Sequence, residues 1–121
     1  MFAAHYKLDN LCIIVDVNGL QIDGRTKDVM NSEPLDEKFA AFGCDVVKID
    51  GHDFDQIESA FAKFHANHGS GKPTCILMKT VKGKGVSYME DNAAWHGKAP
   101  NDEEYAKGMA DLAAVRKVLE V

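Results

Sequence analysis

No stretch of this sequence approaches the ~18 consecutive apolar residues that a membrane-spanning helix needs, so no membrane partner is expected. The opening residues, Met1-Phe2-Ala3-Ala4-His5-Tyr6-Lys7, have neither a long apolar stretch nor a small-residue cleavage site, which argues against a signal peptide. Cysteine is sparse: Cys12, Cys44 and Cys75 are odd in number and show no Cys-x-x-Cys spacing. Each sits in an apolar run, as a small buried hydrophobe in a reducing compartment would, and a cytoplasmic location is expected. Positive charge is in deficit, with 14 Lys and Arg against 19 Asp and Glu and a formal net charge of −5. That balance argues against a nucleic-acid module, which normally presents a basic face to phosphate. Internal repeats and low-complexity tracts are absent, and no Ser/His/Asp or Cys/His constellation is evident.

What the chain does have is the composition of an ordinary globular α/β protein, with 45% hydrophobic and 27% charged residues. Its 121 residues suffice for one compact α/β unit, and 1–121 are read as a single domain. Short β-branched runs alternate with amphipathic segments. Leu11 to Asp16 is almost wholly apolar, as expected of a strand buried on both faces. Val17 to Asn31 follows as a long polar loop with Gly19 and Gly24. Pro34 suits the first turn of a helix whose apolar face is Leu35, Phe39 and Phe42, with Gly43 as its stop. Cys44 to Asp50 is the second strand. Asp53 can cap a helix striped by Phe54, Ile57, Phe61 and Phe64, which ends by Gly69. Thr74 to Thr80 is the third strand, and a glycine-rich loop follows it. Asn101 with Glu104 reads as a capping pair opening a final helix that runs toward Val121. This order predicts an α/β fold, a parallel sheet covered by helices. Ligands bind at the carboxyl ends of such strands, which puts Asp16 to Ile22, Asp50 to Asp53 and Thr80 to Gly85 on one rim. The three-stranded sheet is small, and Phe2 to Lys7 resembles the end of a helix, so further chain is expected before residue 1.

Three segments carry candidate chemistry, and each has a plainer reading beside it. Asp16 to Gly24 offers an Asn amide and loop carbonyls, oxygen ligands of the kind Mg²⁺ prefers; the alternative is a simple Asn-Gly turn. Val81-Lys82-Gly83-Lys84-Gly85 offers backbone N–H groups and lysines to an anion; the alternative is a flexible rim loop. His96, in Trp95-His96-Gly97-Lys98, could donate to phosphate or exchange protons near neutral pH, while a lone histidine is commonly structural. Gly69 to Thr74 superficially looks like a nucleotide phosphate loop, but Pro73 stands where a hydroxyl is needed and the loop precedes a strand, the wrong order. His65 and His68 lie at i, i+3 without a third ligand, and His52 belongs to a turn.

Taken in order, residues 3–11 (AAHYKLDNL), 18–24 (NGLQIDG), 36–43 (DEKFAAFG), 49–54 (IDGHDF), 72–74 (KPT), 79–90 (KTVKGKGVSYME) and 95–104 (WHGKAPNDEE) resemble bacterial transketolases. The likeness is greatest to the amino-terminal subunit of the split, two-gene form. It covers essentially the whole chain, and its specificity lies in the ordered set of segments. The resemblance implies a partial thiamine diphosphate-binding fold, the C-terminal part of the diphosphate-binding domain. It implies a cytoplasmic transferase of the pentose phosphate pathway that moves two-carbon ketol units between sugar phosphates with thiamine diphosphate and Mg²⁺.

By that resemblance Asn18 is the side-chain Mg²⁺ ligand, Leu20 supplies a backbone carbonyl to the metal, and Ile22 lies against the cofactor. Lys82 and Gly83 pass close to the cofactor, and His96 contacts the diphosphate and serves substrate-side proton chemistry. Val17 stands where the family usually has Asn or Asp. The Gly-Asp-Gly that opens the family's fingerprint does not occur, and with it goes a metal-binding aspartate; the pyrimidine-binding domain is likewise outside these residues. The expectation is a fragment or subunit that is inactive alone, binds cofactor poorly by itself, and works as a homo-oligomer or with a complementary transketolase chain. Two other readings remain: a non-catalytic remnant or interaction fragment, and a deoxyxylulose-phosphate synthase-like thiamine enzyme.

Overall fold

A computed structural model describes residues 1–119. They form two compact units: 1–18 with 32–80, and 19–31 with 81 onward.

The first unit holds a parallel sheet of β1 (Cys12–Val17), β4 (Asp45–Asp50) and β5 (Thr74–Lys79), in the order β1-β5-β4. The β-branched runs read from the sequence are these strands, shifted by a residue at their ends. The last strand in sequence is the central one. Thr74, Cys75, Ile76 and Leu77 are all buried, because β5 is paired along both edges. Burial also pushes the Cys75 thiol up to about 11, which keeps it protonated and inert. All three cysteines are free thiols, Cys12 and Cys44 being half-buried.

The expectation that the first strand is buried on both faces is corrected. β1 is an edge strand, and Ile14 is 50% exposed, since nothing among the described residues covers that part of it. An apolar run predicts burial only where a covering layer exists.

Helix α1 (Phe2–His5) leads into β1 through Asp9, whose carboxylate accepts the N–H groups of Gly69 (2.9 Å) and Gly71 (3.0 Å). These bonds hold its pKa below the usual carboxylate value, Gly71 contributing most. They tie the entry to β1 to the turn before β5. Helix α3 (Leu35–Ala41) starts one residue after Pro34, and Gly43, at φ 90°, turns the chain out of it. There a Cβ would lie 2.9 Å from that of Ala4, so packing and backbone both demand glycine.

Helix α4 (Phe54–Ala66) is capped as expected, Asp53 accepting from the N–H groups of Asp55 and Gln56. Its stripe is three residues, not four. Ile57, Phe61 and Phe64 are half-buried, but Phe54 is 80% exposed because it opens the helix at the rim, where β4 has already ended. Asn67 at the far end donates to the Lys72 carbonyl and to the buried Thr74 hydroxyl.

In the second unit the loop expected over 17–31 is corrected. It carries a two-stranded hairpin, β2 (Leu20–Gln21) and β3 (Gly24–Arg25), followed by the short helix α2 (Thr26–Val29). Residues 93–95 form a turn of 3₁₀ helix. Helix α5 (Asp102–Leu119) opens with the expected reciprocal cap: Glu104 N–H donates to Asn101 Oδ1 (2.8 Å) and Asn101 N–H to Glu104 Oε2 (2.9 Å). The final residues of the expected helix, 120–121, lie outside the described residues. Among the described residues no helix is long and apolar enough to cross a membrane.

The contrast between central and edge strands is testable. Truncating Ile76 to Ala should cost about 2–5 kcal/mol in urea unfolding, as for other buried isoleucines. Replacing Ile14 by Thr should change stability by less than about 0.5 kcal/mol.

Candidate cofactor site

The three parallel strands end level with one another. Val17 of β1 and Asp50 of β4 both stand opposite Lys79 of β5. Beyond the ladder, Thr80 N–H donates to the Val17 carbonyl (3.3 Å) and Gly51 N–H to the Lys79 carbonyl (2.8 Å). A Cβ on Gly51 would come within 2.6 Å of the Thr80 methyl, so only glycine lets these two strand ends approach.

At this rim Asp16 does something the sequence did not reveal. One carboxylate oxygen accepts the Thr80 hydroxyl, and the other accepts Asn18 Nδ2 at 3.1 Å. The Asn18 amide is thereby oriented, with its NH₂ end facing Asp16. His52 sits in the turn after β4, as read from the sequence, with its N–H on the Asp50 carboxylate (2.9 Å).

The other expected site residues belong to the second unit. Leu20 is half-buried and pairs with Arg25 across the hairpin, which Thr26 N–H closes by bonding the Gly19 carbonyl (3.0 Å). Ile22 is at the hairpin tip, 66% exposed. Lys82 and Gly83 are half-buried in a tight loop. Gly83 has φ 71°, and a Cβ there would strike the Met89 backbone at 2.7 Å, so this glycine serves the packing of the loop on itself. The N–H groups of Lys84 and Val86 are spent on the carbonyls of Val81 and Gly83, and Lys84 Nζ pairs with Glu90 at 3.0 Å. The loop is therefore ordered by its own bonds rather than flexible, and two of its N–H donors face inward.

His96 is exposed and follows the 3₁₀ turn, its N–H on the Ala93 carbonyl (3.0 Å). Its neighbours anchor it. Trp95 packs on Tyr88 with ring centres 5.1 Å apart, and Lys98 Nζ lies 4.2 Å over the Trp95 ring. Lys98 also bonds Glu104 (2.6 Å), and the Tyr88 hydroxyl donates to the Glu104 carbonyl (2.5 Å). Sequence reasoning missed this cluster, whose signal was the spacing of Tyr88, Trp95, Lys98 and Glu104 around His96. It also missed the ion pair of Arg25 with Asp91 (2.5 Å), which ties the hairpin to the Lys82 loop. Among the described residues no group of three or more His, Cys, Asp or Glu could hold a metal.

The family model for the transketolase thiamine diphosphate-binding domain matches residues 1–115. The chain belongs to the transketolase family. It is 42% identical over 112 residues, 93% of its length, to a 6-deoxy-6-sulfo-D-fructose transketolase subunit of Clostridium sp. (strain MSTE9). It is 40% identical over 110 residues, 91% of its length, to one subunit of the apulose-4-phosphate transketolase of Actinobacillus succinogenes. The chain spans 40% and 39% of those two relatives. The crystal structure of Campylobacter jejuni transketolase superposes with a TM-score of 0.77 at 30% identity, over 90% of this chain and 17% of that one. The α/β fold with its parallel sheet flanked by helices is thus that of part of a transketolase.

The Glu104 cluster gives a pH prediction. Lys98 and the Asn101 N–H hold the Glu104 carboxyl below its ordinary value. A depressed pKa stabilises the fold above the unfolded value of about 4.3, and that contribution is lost as pH falls through the lower folded value. Glu104→Gln keeps a capping acceptor but not the charge. Thermal melts of both proteins should show the native chain more stable at pH 6, with the difference closing as the pH is lowered below the unfolded value.

Proposed function

We propose that residues 1–121 are the later part of the diphosphate-binding domain of a transketolase that transfers two-carbon ketol units between sugar phosphates. In this reading thiamine diphosphate and Mg²⁺ bind at the strand rim, and a complementary chain completes the site. The observation that carries it is the Asp16-oriented amide of Asn18 at the carboxyl end of a parallel strand, within a chain whose family domain binds thiamine diphosphate.

The donor chemistry fits Mg²⁺, which prefers oxygen ligands and takes few from protein. Asn18 would give Oδ1 and Leu20, two residues on, its carbonyl. The remaining coordination would come from phosphate, water and a carboxylate on another segment or chain. Ile22 would lie against the cofactor, Lys82 and Gly83 near it, and His96 at the diphosphate, where an exposed imidazole can donate a hydrogen bond or exchange a proton. When bound, the cofactor supplies the carbon chemistry; the protein binds, orients and shields it. Relatives named as subunits support a complementary partner chain, and so does the bare outer part of β1, which also suits a purely associative role.

Two measurements test this. Ketol transfer between sugar phosphates should be undetectable with the purified chain and appear when a complementary transketolase chain is added; turnover by the chain alone would refute its incompleteness. In calorimetric titrations of the reconstituted pair with thiamine diphosphate, saturable binding should depend on Mg²⁺. Asn18→Ala should weaken it by at least about tenfold, as loss of metal-site groups does. Silence with the native pair would instead support the remnant reading.

A further inference from the structure

Arg25 and Asp91 stand 66 residues apart in sequence yet meet in a two-pronged ion pair: Nη1 to Oδ1 at 3.0 Å and Nη2 to Oδ2 at 2.5 Å. The planar guanidinium matches the carboxylate, which adds directional rigidity that a single contact lacks. Both ends are attached to segments of interest. Arg25 is the ladder partner of Leu20 across the hairpin. Asp91 donates its own N–H to the Lys82 carbonyl at 2.9 Å. Asp91 does this at φ 54°, a left-handed backbone that aspartate tolerates better than most residues. The loop between Lys82 and Asp91 is meanwhile closed by Gly83 against Met89. A continuous path of bonds therefore runs from the Leu20 strand through Arg25 and Asp91 to Lys82.

We propose that Arg25 and Asp91 are positioning residues, a clamp that fixes the Leu20 hairpin to the Lys82–Gly83 loop. The clamp holds two separate pieces of backbone in one geometry before any ligand arrives. Its importance to the cofactor rests on the proposed roles of Leu20, Lys82 and Gly83; its existence does not.

Amide hydrogen exchange on the full 121-residue chain tests it without cofactor. Arg25→Met and Asp91→Asn should each speed exchange about three- to tenfold in both segments, 19–26 and 81–92, the range expected of a half-exposed bidentate pair. Exchange in β5, residues 74–79, should not change, which separates a released clamp from general unfolding. The double variant should be no faster than either single one, and Arg25→Lys, which keeps the charge but not the fork, should fall between native and Arg25→Met. If Arg25→Met also deprotects β5, Arg25→Lys alone decides, by its effect on the two segments. Faster exchange in one segment only, additive effects in the double variant, or full function of lysine in place of arginine would overturn the clamp. Thiamine diphosphate titrations of the same variants in the reconstituted pair are a separate readout. A clamp confirmed by exchange beside absent cofactor binding would remove the proposed function and leave the clamp.

Discussion

The parallel pairing of β1 and β4 to the two edges of β5 is the constraint on which the rest of the first unit depends. It buries Thr74 to Leu77, and it aligns three strand ends so that Asp16, Asn18, Gly51 and Thr80 come together on one rim. A one-residue slip of β1 against β5 would turn Asp16 to the other face and break its contact with Thr80, since strand side chains alternate. Register therefore determines whether Asp16 meets Thr80, and Asp16 in turn orients the Asn18 amide two residues on.

Close backbone approach occurs at two of the segments where function is expected. Gly51 admits Thr80, and Gly83 admits Met89. Neither glycine need touch a ligand to matter. Each lets a strand end or loop settle where a neighbouring polar group can be held: Asp16 on Thr80 in the first unit, Asp91 on Lys82 in the second. Rigidity at the candidate site thus comes from side chains one step removed from the groups that would contact metal or phosphate.

Much of this was legible from sequence, and the failures share a cause. The three strands are apolar β-branched runs, and the caps at Asp53 and at Asn101 with Glu104 are local patterns; such features need nothing distant to form. The hairpin over 20–25 was illegible because two-residue strands carry no periodicity. The exposure of Ile14 was illegible because an apolar run does not say whether a covering layer is present. At the candidate site, Asn18 and His96 stood out by their chemistry, and resemblance gave them and Leu20 their expected roles. Asp16 and Thr80, 64 residues apart, and Arg25 and Asp91, 66 apart, could be found only once the chain was folded.

The separation between core and site has a thermodynamic consequence under the proposed function. The buried core around β5 is made of the chain's own side chains, while the proposed metal position is only partly furnished by it. Mg²⁺ demands near-octahedral coordination, and an Asn amide with one carbonyl falls well short of it. Whatever supplies the remaining ligands must then be present for tight binding, and metal–cofactor binding must in turn favour the assembled state. Linkage makes those two effects equal in size. A clamp that holds Leu20 and Lys82 in place beforehand reduces the ordering cost at the moment of assembly, leaving more of the binding free energy to hold the chains together.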